Sequence, residues 1–334
     1  MTTKSILLVT CAFVGSAISV SAAEFELRMQ SFWEGGTINQ RAFEEFATDV
    51  EECTDGRVTI AAMPGNAVVP STELLQATKS GILHGMQAGG ALHIGQDPAF
   101  ALVNDIPFGY AKPEQFLGWF HEGGGMELTQ ELYSKYGVHF VGPVMWGAES
   151  IPTKERIETV EDFSGVTMRS PEGIASQIWQ DIGVGVSTLP GSEVYTALET
   201  GRIEATDWGG LGMNDELGFD RIASYAIYPG IHSMPAGDLA INQETWDAFS
   251  DDMKECFTTA TSNLNERMLS ANQELDKKAA EQRDPETLVD WSQEERGKLR
   301  EIAQEHWAAW AEQNEIAQKI YESHVEYMKS LELL

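Results

Sequence analysis

The sequence predicts an α/β protein of two lobes, and three observations carry that prediction. A helix–strand unit occurs twice, as Pro70-Ser71-Thr72-Glu73 running to His84 and as Pro190-Gly191-Ser192-Glu193 running to Glu204. Both copies place Pro, two residues, then Glu, with Ala four positions on (Ala77, Ala197) and Gly four after that (Gly81, Gly201). Strand-like stretches leading into helical ones occur at the start of the chain and again near Val166. The 334 residues also suffice for two units of about 150 residues each. A cleft between two such lobes is a common ligand site.

Taken in order, Met1–Ala23 carries one Lys at position 4, an apolar run from Ile6 to about Val20, and Ser21-Ala22-Ala23 at its end. This reads as a secretory signal peptide, too short in its apolar run for a membrane helix. Cys11 sits early in that run after Thr10, which argues against a lipid anchor. The expected mature protein is exported to the periplasm, with no direct membrane anchoring. Removing 1–23 leaves 21 basic against 52 acidic side chains, a formal charge of −31. Such acidity argues against nucleic acid and anionic membrane surfaces as partners. It does not veto an anionic ligand, which needs only a local cation in a desolvated cleft.

Phe25–Gln30 alternates Phe25, Leu27 and Met29 as a first strand, and a helix begins near Ile38. The loop between them holds Phe32 and Trp33, which could line a cleft or join the core. Val58–Met63 reads as the second strand and Val138–Val141 as a later one. Gly142–Glu149 crosses to the second lobe, and Gly237–Asn242 crosses back. Ser250–Arg283 and Trp291–Leu334 read as long helical stretches from their Ala, Glu, Lys and Leu content. Trp307, Trp310, Ile316, Ile320 and Tyr321 form a packing stripe on the second of them. The layout is a signal peptide at 1–23, a first lobe at 24–143 joined by part of 237–285, a second lobe at 144–236, and a crossover strand with long bracing helices at 237–334. Cys53 sits near the end of the first helix and Cys256 in a later one. Export favours a bridge, yet two free thiols fit the sequence as well, since it cannot supply the Cβ geometry.

The chemistry concentrates in 165–219. Val166 to Arg169 reads as a short strand, followed by Ser170-Pro171-Glu172-Gly173 as a turn and helix start. Arg169 then sits at the C-terminal end of a strand, where open α/β sheets place ligand sites. Its guanidinium offers a planar fork of donors to a carboxylate. Alone, the same Arg could be a surface ion pair.

These residues resemble a known family, the periplasmic solute-binding proteins of TRAP (tripartite ATP-independent periplasmic) transporters, the DctP-like group. The resemblance runs through Gly36-Thr37-Ile38-Asn39-Gln40, Pro64–Pro70, Asp97–Leu102, Glu161–Arg169, Leu189–Leu198 and Tyr228-Pro229-Gly230. It implies a two-lobed periplasmic-binding-protein fold, type II-like, with long connecting and C-terminal helices. It further implies that Arg169 holds a ligand carboxylate and that the partners are a small organic acid and the membrane permease subunits. Trp208 would supply an apolar wall, and Trp33 is a further candidate for the lining of the cleft. Asp207, Asn214 and Glu149 would read polar substituents.

The branch this chain looks most like binds 2-oxo or 2-hydroxy acids, some with a bridging metal ion. Three positions depart from it. Where that branch has Gln upstream of the Arg, this chain reads Gly147-Ala148-Glu149-Ser150. Asp207 replaces Glu before Trp208, and His232 replaces Gln after the Pro-Gly turn. Asp207, His232 and Glu149 could still hold a cation. Calcium prefers oxygen ligands, however, so no metal or other cofactor is assigned. No G-x-S-x-G, Walker A or H-E-x-x-H motif occurs, and the seven His have no zinc spacing. The expected function is capture and delivery of a small carboxylate by a protein that is not an enzyme. The alternatives are an exported enzyme acting on such an acid and a ligand-binding partner of a membrane sensor.

Overall fold

The computed structural model describes residues 23–189 and 191–334. The expected signal peptide, apart from Ala23, and Pro190 of the second repeat copy lie outside the described residues. The described chain folds around two sheets, as expected. The strands are β1 (Phe25–Ser31), β2 (Val58–Met63), β3 (Gly85–Gly89), β4 (Val138–Met145), β5 (Ile151–Thr153), β6 (Thr167–Arg169), β7 (Gly185–Ser187), β8 (Ala205–Thr206), β9 (Tyr225–Ile227), β10 (Ala236–Asn242) and β11 (Leu288–Val289).

The first sheet has the order β2-β1-β3-β10-β4, the second β11-β9-β5-β8-β6-β7. The two share a plan. In the first, β2, β1 and β3 are parallel and β10 runs antiparallel between β3 and β4. In the second, β7, β6 and β8 are parallel and β5 runs antiparallel between β8 and β9. The repeated sequence unit has its physical meaning here. One copy supplies the helix Leu74–Lys79 and leads into β3; the other supplies the helix Gly191–Glu199 and leads into β8. Each such strand lies against the one strand that arrives from the other half of the chain.

Local sequence explains the elements. In β1, Leu27 and Met29 are buried while Glu26 and Arg28 are exposed, the period-two pattern of a half-buried strand. Thr37 caps the helix Ile38–Cys53, its hydroxyl accepting from the Gln40 N–H at 3.2 Å. Asn314 caps the helix Glu315–Ser330 in the same way. That cap splits the C-terminal helical stretch into Gln293–Ala311 and Glu315–Ser330. Trp307, Trp310, Ile316 and Ile320 are buried in the core, as the stripe predicted.

The helix Asp251–Gln282, 32 residues long and so about 48 Å, braces both sheets. Near its start Cys256 is disulfide-bonded to Cys53, with Cα atoms 5.7 Å apart, and Phe257 packs on Phe46. Near its end it meets the helix Leu211–Glu216. A Cβ on Gly212 would lie 2.7 Å from Leu275 backbone atoms, so only glycine allows this approach. Asp276 accepts from the Gly212 N–H at 2.8 Å, and Arg283 pairs with Asp215.

Three expectations need correction. Ser170-Pro171 does not start a helix; the next helix begins at Ile174 behind Gly173, whose φ of 145° suits glycine. β4 runs to Met145, so the chain leaves the first sheet beyond residue 143. The stretch 237–334 is more than a crossover strand and helices, because β11 adds parallel to β9 at the edge of the second sheet.

Candidate functional site

The site lies where β6 and β8 end and where the chain passes between the sheets. Arg169 closes β6, beside Thr206 of β8. Its Nη1 donates to the carbonyl of Asp207, and its Nε to that of Leu189 at 3.3 Å. The guanidinium carbon stands 4.9 Å from the centroid of Trp208, within cation–π range. Among the described residues no carboxylate lies in ion-pair contact with Arg169. Glu149 meets Trp146 and His232 instead.

Asp207 is buried and held from two sides. Its Oδ1 faces His232 Nε2 at 3.0 Å, and its Oδ2 accepts from the Ser170 hydroxyl at 3.1 Å. Burial alone would raise the Asp207 carboxyl. The charge and hydrogen bond of His232, with Arg169 and Ser170, hold it below its usual value instead. The matching argument applies to His232, which is wholly buried. Burial pushes it down, but Asp207 first, then Glu149, raise it above the ordinary imidazole value.

Glu149 completes the row. Its Oε2 lies 3.8 Å from His232 Nε2, and its Oε1 accepts from the Trp146 indole N–H at 3.2 Å. Burial, followed by the charge of Asp207, pushes its carboxyl up to about 8. The backbone fixes it there: the Glu149 N–H donates to the Ser233 carbonyl at 3.0 Å. A Cβ on Gly230 would sit 2.1 Å from the Glu149 carbonyl oxygen, so the 230–233 segment can pass only with glycine at that point.

Trp146 carries the row to the first sheet, meeting Trp33 edge-on at 5.2 Å and Phe32 at 5.8 Å. The structure thus joins six of the seven residues singled out from the sequence, in the succession Trp33, Glu149, His232, Asp207, Arg169 and Trp208, with Trp146 bridging the first two. Asn214 stands behind them. Its Nδ2 donates to the Gly209 carbonyl at 2.8 Å and to Ser150, tying together the neighbours of Trp208 and Glu149. Its Oδ1 is buried without a partner among the described residues.

Trp146, Ser170 and Asp105 were missed. Trp146 stands three residues before Glu149, a spacing that means little until the chain is seen to bend there. Ser170 before Pro171 suits a turn and helix start as well as a role at the site. Asp105 accepts from the Met234 N–H at 3.3 Å behind His232, and burial pushes its carboxyl up to about 7. No sequence signal marks it.

Residues 29–314 match the family described as bacterial extracellular solute-binding protein, family 7 (DctP). A monocarboxylate 2-oxoacid-binding periplasmic protein of Nostoc sp. is 30% identical over 271 residues, which are 80% of this chain and 74% of that one. A TRAP periplasmic solute-binding protein of Rhodobacter sphaeroides, solved as an apo open structure, is 35% identical with a TM-score of 0.82. That match covers 92% of this chain and 99% of the other. A TRAP periplasmic solute-binding protein of Pseudoalteromonas atlantica, solved with sodium and pyruvate bound, is 27% identical with a TM-score of 0.78, covering 92% and 95% of the two chains.

Proposed function

Because this chain belongs to the DctP family of bacterial extracellular solute-binding proteins, we propose that it captures a small organic acid between its lobes, releases it unchanged and hands it to a TRAP membrane permease. The observation that carries this reading is Arg169. Its half-buried guanidinium is bonded to two backbone carbonyls and to no anion among the described residues. A desolvated cation is costly unless paired, and a ligand carboxylate is the partner this arrangement invites. Trp208 then flanks the carbon skeleton of the acid, and Trp33 and Trp146 wall it from the first sheet. Glu149 and Asp207 read its polar substituent, and Asn214 holds their loops. Residues 1–23 act as an export signal and place the protein in the periplasm. The 2-oxo-acid ligand named for the Nostoc relative and the pyruvate of the Pseudoalteromonas structure make a short monocarboxylate the first candidate.

The sodium that the Pseudoalteromonas structure also holds raises the question of a cation here. Among the described residues, only Glu149, Asp207 and His232 bring potential donor atoms together, within 4.8 Å of one another. The set does not fit a hard cation. Sodium and calcium take shells of oxygen, whereas the central atom here is an imidazole nitrogen already in hydrogen-bond contact with Asp207.

A thermal-shift screen tests the ligand class. Acids of three to six carbons should raise the melting temperature, and their neutral amides should not. A ligand at about 100 times its dissociation constant adds about 2.7 kcal/mol of stability. Equal shifts from acid and amide would remove Arg169 from the reading. Consumption of the acid during incubation would make the protein an enzyme instead.

A further inference from the structure

We propose that the site binds its acid without a metal ion, because the Nε2–H of His232, set between Asp207 and Glu149, takes the place that an ion would need. The inference rests on the carboxylate reading above and concerns how the same site is filled. His232 has no exposed surface. Its Nε2 lies 3.0 Å from Asp207 Oδ1 and 3.8 Å from Glu149 Oε2. At 3.0 Å a nitrogen and a carboxylate oxygen must share a proton, so Nε2 carries hydrogen and offers no lone pair. That N–H stands where an ion would have to stand to touch both carboxylates. The Ser170 hydroxyl fills the remaining side of Asp207, and the Trp146 indole N–H already occupies Glu149 Oε1. Both oxygens of Asp207 and the Oε1 of Glu149 thus have protein donors in place of a metal.

The test is calorimetry with pyruvate and lactate as probes, on full-length mature protein. Chelator-treated protein in sodium-free buffer is compared with protein given sodium or calcium. The affinity of whichever probe binds is expected to agree within about threefold across the three conditions. His232→Gln can turn an amide oxygen toward Asp207 and Glu149 in place of the imidazole N–H. It is expected to weaken binding in the metal-free buffer by about tenfold or more and to regain part of it with added sodium or calcium. Should the variant not fold, 15N NMR of the wild-type imidazoles decides the same point, with Nε2 of His232 expected to be protonated before and after sodium or calcium is added. Binding by the wild type only when sodium or calcium is supplied overturns this proposal and leaves the carboxylate reading intact. Binding of neither probe in any buffer, with no acid active in the thermal screen, overturns the carboxylate reading and this proposal together.

Discussion

The two sheets share a topology but differ in build. Strands of the first run five to eight residues (β1, β2, β3, β4, β10), and those of the second two or three (β5, β6, β7, β8, β9, β11). The first sheet packs Leu27, Met29, Leu239 and Ile241 against Phe43, Phe46 and Phe257, and its flanking helices are joined by the disulfide. At the site it contributes indole and phenyl rings. The second sheet contributes Arg169, Asp207 and Trp208 from strand ends that are barely strands at all. Its short strands are held by side-chain bonds from the site itself, such as Ser170 to Asp207 and Asn214 to Gly209. The first lobe thus has the longer strands and the disulfide, and the second has the charged groups of the candidate site. Four perturbations test that division.

The largest effect is expected from removing the bridge. Cys53 and Cys256 are 203 residues apart in sequence, and a chain-entropy estimate for so long a loop gives about 5 kcal/mol. The double variant Cys53→Ser/Cys256→Ser should melt far lower while its affinity for the acid changes less than about threefold. Loss of affinity in the still-folded variant would mean that the division between lobes is wrong. Alkylation of two thiols in unreduced, denatured wild-type protein would show that the bridge does not form.

Next comes a buried charge of the first sheet. Asp238 in β10 accepts from the Ala88 N–H at 3.2 Å and from the Tyr133 hydroxyl, and burial pushes its carboxyl from 3.8 up to about 7. A folded-state value above the unfolded one means the folded protein keeps a proton that the unfolded chain loses. The group therefore costs stability progressively as pH rises from about 4 to about 7, at up to roughly 1.4 kcal/mol per pH unit. Asp238→Asn lacks that titration and can still accept from Ala88. Its stability relative to wild type should rise across this window and level off above it. Asp105 and Glu149 also titrate upward, which is why the measurement is the difference between the two proteins. A difference independent of pH would show that Asp238 is ionised in the fold throughout.

These contrasts also explain what could be read beforehand. Long alternating strands and capped helices are local signals, so β1, β2 and the helix from Ile38 were legible, as was Arg169 at the end of a short apolar stretch. β11 was not, because two residues have no period. Ser170 was misread since Ser before Pro suits both a cap and a loop, and only contact with Asp207 separates them. His232 and Asp207, 25 residues apart, come together in the sequence only through resemblance; nothing local says that their side chains meet. Asn214 was expected to read ligand, yet its Nδ2 faces backbone carbonyls and Ser150, contacts that no residue type announces.

Arg169→Lys probes the second lobe alone. Lys keeps the charge but lacks the planar fork that holds two carbonyls and still presents a free donor. Losing one charge-assisted hydrogen bond costs ~1.5–3 kcal/mol, roughly tenfold to a hundredfold in affinity. Melting of the ligand-free protein should hardly change. Unchanged affinity in calorimetry would take the carboxylate away from Arg169.

The smallest and most local effect belongs to Trp208→Phe. The indole is half-buried against the Arg169 guanidinium at 4.9 Å, at the end of β8. A ligand carboxylate arriving at Arg169 changes the field on that ring and removes water from it, so its emission should shift on binding. The rival outcome is a packing role, since Trp208 also borders the cluster of Leu189, Val194 and Phe219. Nine tryptophans blur the wild-type signal, and Trp33 and Trp146 on the first lobe also border the site. The informative measurement is the difference spectrum of Trp208→Phe against wild type with the same acid. Phe keeps most of the apolar wall and can still meet a cation with its face, so binding should weaken only modestly while most of the fluorescence change disappears. If calorimetry shows binding and the full change persists, the responding indoles are those of the first lobe. The aromatic side of the site would then report the ligand, and the assignment of recognition to the second sheet would narrow to its charges.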